Sequence, residues 1–186
     1  MEQKGWERRG ALQALGAALL FSISGVCIKA IPWSPLAING ARGAIGALVL
    51  ALWMAAAHRR LHCNLAVGIG ALSLCLTNIL YIFAAKLTTA ANAILLQYTS
   101  PLFVVLLLWI FARRRPSRRA VMACLLVFGG TALFFCDRLT PGARLGSLLG
   151  LASGLTYAGV FLSGLPQGAD GVSSFLLAQL AGAALG

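Results

Sequence analysis

The chain of 186 residues is 60% apolar and only 10% charged, with a mean hydropathy of +0.88. Soluble domains carry roughly 25% charged residues, so the polar side chains here are too few to coat a globule, and lipid is the expected solvent. The net charge of +11 comes from short basic clusters between apolar runs, the pattern of topology determinants, and no motif that reads a nucleic-acid groove is present.

Crossing a hydrocarbon core of roughly 30 Å takes about 20 apolar residues as a helix. In lipid every backbone polar group must be bonded internally, which selects helices. A membrane β-barrel needs alternating segments of about 10 residues, whereas these runs are longer and continuously apolar. After the polar start MEQKGWERR, span one is expected from about Ala11 to Ile31. Pro32, Trp33 and Pro35 mark a turn at the membrane interface, where Trp is favoured. Span two runs from about Leu36 to Ala57, followed by a basic loop with His58, Arg59, Arg60 and His62. Span three covers about Cys63 to Ala85, and the residues Lys86 to Thr89 form a short connection. Span four extends from about Ala90 to Ala112, and the block RRRPSRR, Arg113 to Arg119, follows it. Span five is placed at about Ala120 to Cys136, a polar loop at Asp137 to Arg144, and span six at about Leu145 to Gly164. The loop Leu165 to Asp170 leads into a seventh apolar run from Gly171.

Alternate loops differ in basic charge. One side holds Lys4, Arg8, Arg9, Arg59, Arg60, Arg113, Arg114, Arg115, Arg118 and Arg119; the other holds Lys29, Lys86, Arg138 and Arg144. The richer side is expected to be cytoplasmic, with the N-terminus inside. The five cysteines include no CxxC pair, and most fall in or beside apolar runs, so neither a disulfide framework nor a metal site is expected. No cofactor is expected either. Small residues recur every fourth position at Gly142, Gly146, Gly150, Gly154 and Ala158, and again at Ser174, Ala178, Gly182 and Gly186. Such faces let membrane helices approach closely. They serve general packing or line a seam between two halves.

A weak self-similarity appears at an offset of about 136 residues, pairing Gly10 with Gly146, Leu12 with Leu148, Leu15 with Leu151 and Phe21 with Tyr157. A repeat with five spans is odd-numbered, so its second copy enters the membrane from the opposite side. Inverted repeats are a signature of secondary transporters.

The stretch AAKLTTAANAILLQYTSPLFVVLLLWIF, Ala84 to Phe111, resembles the third-to-fourth span signature of EamA-type members of the drug/metabolite transporter superfamily. The basic loop and AVMACLLVFGGTALFF resemble that family's fifth span, and Arg42 and GLASGLTYA, Gly150 to Ala158, also fit. The resemblance implies ten spans in two inverted five-span halves around a cavity for small metabolites. On that basis residues 10–137 are expected to form the first repeat and residues 145–186 the start of a second, so the chain looks truncated. Family members often carry a glutamate near the start of the loop after span four, where this sequence reads Ala112, Arg113, Arg114.

Arg42 is the charge placed inside a span, by default a functional position. It contacts an anionic or carboxylate-bearing solute, or it snorkels to the outer headgroups. Lys29 and Lys86, at span ends, suit snorkelling. Pro101 lacks a backbone donor and is expected to kink span four. Around it Gln97 and Tyr98, with Asn92 one face away and Asn78 and Tyr81 in span three, line a solute path or bond between helices. Gly129 and Gly130 suit close packing or a flexible point. All four acids, Glu2, Glu7, Asp137 and Asp170, lie in the terminus or loops, so no buried carboxylate is at hand as a proton relay. The spans show no Ser/His pair, HExxH motif or paired acids, so an enzyme is not expected.

These readings converge on an all-α polytopic membrane bundle of about seven spans. The expected function is a permease that moves a small organic metabolite or drug-like solute by alternating access, in the inner (plasma) membrane. A non-transporting membrane subunit and a membrane-embedded enzyme are the alternatives. The expected partners are the lipid bilayer, the solute, and a second copy of the chain or a missing C-terminal half.

Overall fold

The computed structural model describes residues 2–112, 117–135, 143–166 and 169–186. The chain forms two compact units, Met1–Pro32 and Trp33–Gly186. The first unit is one helix, α1, Glu2–Ala30. It starts well before Ala11, so the polar residues of the N-terminus are helical and are not an irregular leader. Glu, Gln, Lys and Arg are good helix formers, and acids near a helix N-terminus complement its dipole. After α1 the Ile31 N–H still donates to the Cys27 carbonyl (3.0 Å) before Pro32.

The second unit contains α2 (Pro35–Ala56), α3 (Leu65–Leu87), α4 (Ala90–Gln97), α5 (Ser100–Ala112), α6 (Arg118–Phe135), α7 (Ala143–Ser163) and α8 (Gly171–Leu185). Each sharp entry has a polar cap that occupies otherwise orphaned N–H groups. Ser34 accepts from Ala37, with Pro35 in the first turn. Asn64 accepts from Val67, Thr89 from Asn92, and Asp170 from Val172 and Ser173. The end of α2 is closed differently. His58 takes a left-handed φ of 49°, and the Arg59 N–H turns back to the Met54 carbonyl at 2.9 Å.

The connection from α3 narrows to Thr88 and Thr89, because Lys86 and Leu87 complete the last turn of α3. The expected fourth span is two helices, not one kinked helix. α4 stops at Gln97 and α5 begins at Ser100. Pro101 has no N–H to give the Gln97 carbonyl, and it sits in the first turn of α5, where a missing donor is harmless. At the break the Thr99 N–H (3.2 Å) and hydroxyl (2.6 Å) both turn back to the Leu96 carbonyl. Gln97 and Pro101 therefore do not share one continuous helical face.

Four helical stretches among the described residues are long and apolar enough to cross a membrane: Pro35–Ala56, Leu65–Leu87, Ala90–Ile110 and Arg144–Ser163. Gly171–Leu185 is a shorter apolar helix. The expectation of about seven spans also counts α1 and α6, of 29 and 18 residues. The arginine block is described only from Ser117 onward, and Cys136 to Gly142 lie outside the described residues.

The core of this unit is α3, packed most extensively on α7 and also on α8, α4 and α2. Ala71, Leu74 and Cys75 of α3 are buried against Ala178 of α8, with Tyr157 and Val160 of α7 beside them. A second cluster joins Ala47 and Met54 of α2 to Leu176 of α8. Helix directions follow from which ends meet. Gly146, near the start of α7, packs on Leu87 and Thr88 at the end of α3, while Gly70 near the start of α3 meets Ser163 at the end of α7. Hence α3 and α7 are antiparallel. α2 and α8 are likewise antiparallel, since Gly40 meets Gly186 and Met54 meets Leu176.

Rows of large apolar side chains stay exposed: Ile45, Leu48, Val49 and Leu52 on α2, Leu72 and Leu76 on α3, and Met122, Leu125, Leu126 and Phe128 on α6. Continuous apolar surface of this kind is foreign to monomeric soluble proteins and suits a hydrocarbon surround. Nothing described lies within 4 Å of a Cβ placed on Gly129 or Gly130. Close helix packing among the described residues is therefore not their role.

Candidate functional site

Polar side chains within the spans divide into two sets. The first set is committed to holding helices together. Asn39 on α2 donates to the Gly182 carbonyl on α8 (3.3 Å). The hydroxyls of Thr77 on α3 and Thr156 on α7 lie 2.8 Å apart. Asn92 on α4 donates to Ser147 on α7 (3.2 Å), while Ser153 satisfies its hydroxyl within α7 on the Gly150 carbonyl (2.7 Å). All these residues but Thr156 are buried. In hydrocarbon a polar group without a partner is costly, and each of these has one.

The glycines of α7 make those contacts reachable. A Cβ on Gly150 would sit 3.0 Å from the Leu96 side chain, and one on Gly154 would sit 3.0 Å from both the Leu96 carbonyl and the Thr99 hydroxyl. The break between α4 and α5 is thus seated directly on the small-residue face of α7, with Ala158 fully buried one turn further. Ser174, Ala178 and Gly182 of α8 are buried in the same manner, against α3 and α2.

The second set has no such engagement. Arg42 on α2 carries a buried terminal nitrogen, Nη1, without a hydrogen-bond partner. Tyr81 on α3 lies within electrostatic range of both Arg42 and Tyr98, the residue at the α4–α5 break. Asn78, Tyr81 and Gln97 are half-buried, and Tyr98 is 64% exposed. Among the described residues their side chains make no hydrogen bond. Tyr81 follows Asn78 by three positions, so both face the same side of α3. Three segments thereby bring one cation and two phenols into electrostatic range through Tyr81, with Asn78 on the Tyr81 side of α3 and Gln97 next to Tyr98 in sequence. Asn92, expected beside them from its place in the sequence, has its amide bound to Ser147. Pro101 is exposed and acts by placing the break.

Two features of this region are not evident from hydropathy. Gln179 of α8 packs on Gly43 and Gly46 of α2 and is half-buried. Asn39 bonds across the same seam. The signal that could have found both is the run Gly40, Gly43 and Gly46, whose spacing of three leaves a groove along one face of α2.

At the other end of the bundle the loop after α2 meets the entry to α8. The His62 N–H donates to the Ser173 hydroxyl (3.0 Å), and the His62 imidazole lies 3.7 Å from the Asp170 carboxylate. Arg59, Arg60, His62, Ala169 and Asp170 line an open pocket of about 360 Å³. The Ser173 hydroxyl, together with the N–H groups of Val172 and Ser173 and the nearby His62, holds the Asp170 carboxyl below the usual carboxylate range. The guanidinium of Arg59 stacks 5.9 Å from the Trp53 ring centroid, a cation–π contact suited to a membrane interface.

The apolar helices with exposed apolar rows and seams of small residues have the character of an integral membrane bundle. The sequence profile of the EamA-like transporter family matches residues 8–136, and the chain belongs to that family. It is accordingly a membrane transporter of the drug/metabolite type. No curated protein and no solved structure matches it.

Proposed function

We propose that the chain is a permease for a small organic solute and works by alternating access. The observation that carries this reading is the unequal use of polar groups. Asn39, Thr77 and Asn92 are engaged in bonds to α7 or α8, whereas Arg42, Asn78, Tyr81, Gln97 and Tyr98 make no described hydrogen bond with their side chains. Open polar groups at membrane depth mark a solute pathway.

The two-repeat arrangement, residues 10–137 and the start of a second copy at 145–186, is part of the same proposal. An offset of 136 carries Pro35, the first residue of α2, onto Gly171, the first of α8. These two helices are in contact and run antiparallel, the orientation an inverted repeat requires. The seam between them is then where one half rocks on the other. The site lies near that seam, in the bilayer of the inner (plasma) membrane, with the N-terminus on the cytoplasmic side. A second copy or a separate C-terminal half completes the ten-span assembly.

The test is uptake by proteoliposomes from a defined mixture of metabolites, read by mass spectrometry. The expected result is accumulation of a solute that Arg42→Ala and Gln97→Ala each reduce without lowering the amount of reconstituted protein. Equal accumulation in both variants would remove these residues from the pathway, and the absence of accumulation by the wild-type chain would contradict the transport reading.

A further inference from the structure

We propose that the solute carries an oxyanion, a carboxylate or a phosphate, and that the Arg42 guanidinium receives it. This deepens the transport reading and rests on it.

The argument is one of charge. A guanidinium stays protonated in proteins and offers five donors in a planar fork. Here the fork is half-buried in an apolar bundle, and Nη1 is sealed without a partner. A charge in hydrocarbon calls for a counter-charge. The chain has four acids, and none falls within α2 to α8. Asp170 is remote: α2 runs fourteen residues past Arg42 to Ala56, about 21 Å at 1.5 Å per residue. Asp170 lies beyond that end, where it is bonded to Ser173.

Lipid headgroups are the other source of an oxyanion. Arg42 is seven residues into α2, about 10 Å, which a snorkelling side chain could span. Snorkelling leads the guanidinium outward to water. Here one end of the fork is sealed, and the group in electrostatic range is Tyr81 of a neighbouring helix. The neighbouring group agrees with an anion: Tyr81 offers a hydroxyl donor, with Tyr98 in range of Tyr81 in turn, and neither is an acid. A cationic solute would meet only repulsion from Arg42.

The experiment follows modification of Arg42 by phenylglyoxal, with peptide mass spectrometry, in the full chain reconstituted in phosphatidylcholine vesicles. Benzoate and inorganic phosphate are the anionic probes, benzamide the neutral one, and exposed Arg118 and Arg119 are internal references. At an anion concentration ten times its dissociation constant, mass action slows modification of Arg42 roughly tenfold. The references stay unchanged, as does Arg42 with benzamide. Equal protection by benzamide, or none by either anion, would overturn the inference. A parallel arm adds phosphatidylglycerol without solute. Protection by that lipid alone, with no further effect of the soluble anions, would assign Arg42 to headgroups and also overturn it. Metabolite uptake in the same vesicles separates the two claims. Uptake without anion protection sinks the charge argument alone, and protection without uptake sinks the transport reading.

Discussion

Gly43 of α2 rests on the main chain of Gln179 of α8, so closely that a Cβ on Gly43 would lie 2.6 Å from the Gln179 carbonyl oxygen. The two positions are separated by 136 residues, the offset at which the sequence resembles itself. Under the proposed inverted repeat, a two-fold relation between antiparallel α2 and α8 would bring equivalent residues together where its axis passes. The neighbouring contacts follow the same offset: Gly43 also meets Gly182 and Ala183, and Gly46, 136 residues before Gly182, meets Gln179.

Enlarging Gly43 forces two backbones apart. Gly43→Leu is expected to lower stability by about 1–3 kcal/mol, the usual range for overpacking. Gly129→Leu, where a Cβ meets nothing within 4 Å, is expected to change little. Thermal unfolding of both variants in detergent, followed by circular dichroism, reads the difference; equal losses would contradict the close approach at Gly43.

The division of polar groups predicts opposite phenotypes for two asparagines. Asn92→Ala removes the bond to Ser147 and is expected to reduce stability by roughly 0.6–1.7 kcal/mol, as interhelical bonds do in membranes. Asn78→Ala breaks no described bond, so it is expected to spare stability and reduce solute uptake. Unfolding and uptake measured on the same preparations check the pair.

Much of this architecture could be read from the sequence, because hydropathy and charge are properties of segments. The boundaries of α2, α7 and α8 lie close to those expected from the apolar runs. The break at Tyr98 and Thr99 was not legible as such. Pro101 signals a lost donor, but whether a helix kinks or stops depends on a neighbour, here the Gly154 face, that accepts the irregular turn. The separation of Asn92 from Asn78 was equally hidden, because it depends on Ser147 lying opposite one and no partner opposite the other. The place of Gln179 was not legible either, because it comes from the glycines across the seam, Gly43 and Gly46.

Asp170 gives a pH dependence of defined sign. Its carboxyl is held below the usual range, chiefly by the Ser173 hydroxyl. A depressed native value means that the charged form stabilises the fold above the unfolded value of about 3.9. That contribution is lost as pH falls through the native value. Asp170→Asn is therefore expected to be less stable than wild type near neutrality, and the gap to close at acid pH. Unfolding temperatures of both proteins across the acid range test this; a gap that widens on acidification would contradict the sign.

His58 closes α2 with a φ of 49°, a conformation that costs an L-residue roughly 1–2 kcal/mol and glycine almost nothing. His58→Gly is expected to raise the unfolding temperature without changing uptake. A lower unfolding temperature would show that the imidazole makes a larger contribution than the backbone strain.

The central claim is that the residues around Arg42 line a path open in turn to the two sides of the membrane. Cysteine accessibility reads it most directly, in a background where the native cysteines are replaced. Membrane-impermeant maleimide, applied from one side and then the other of reconstituted vesicles, is predicted to label Tyr81→Cys from both sides and Asn92→Cys from neither. A Tyr81→Cys protein inert from both sides, or labelled no faster than Asn92→Cys, would contradict the account.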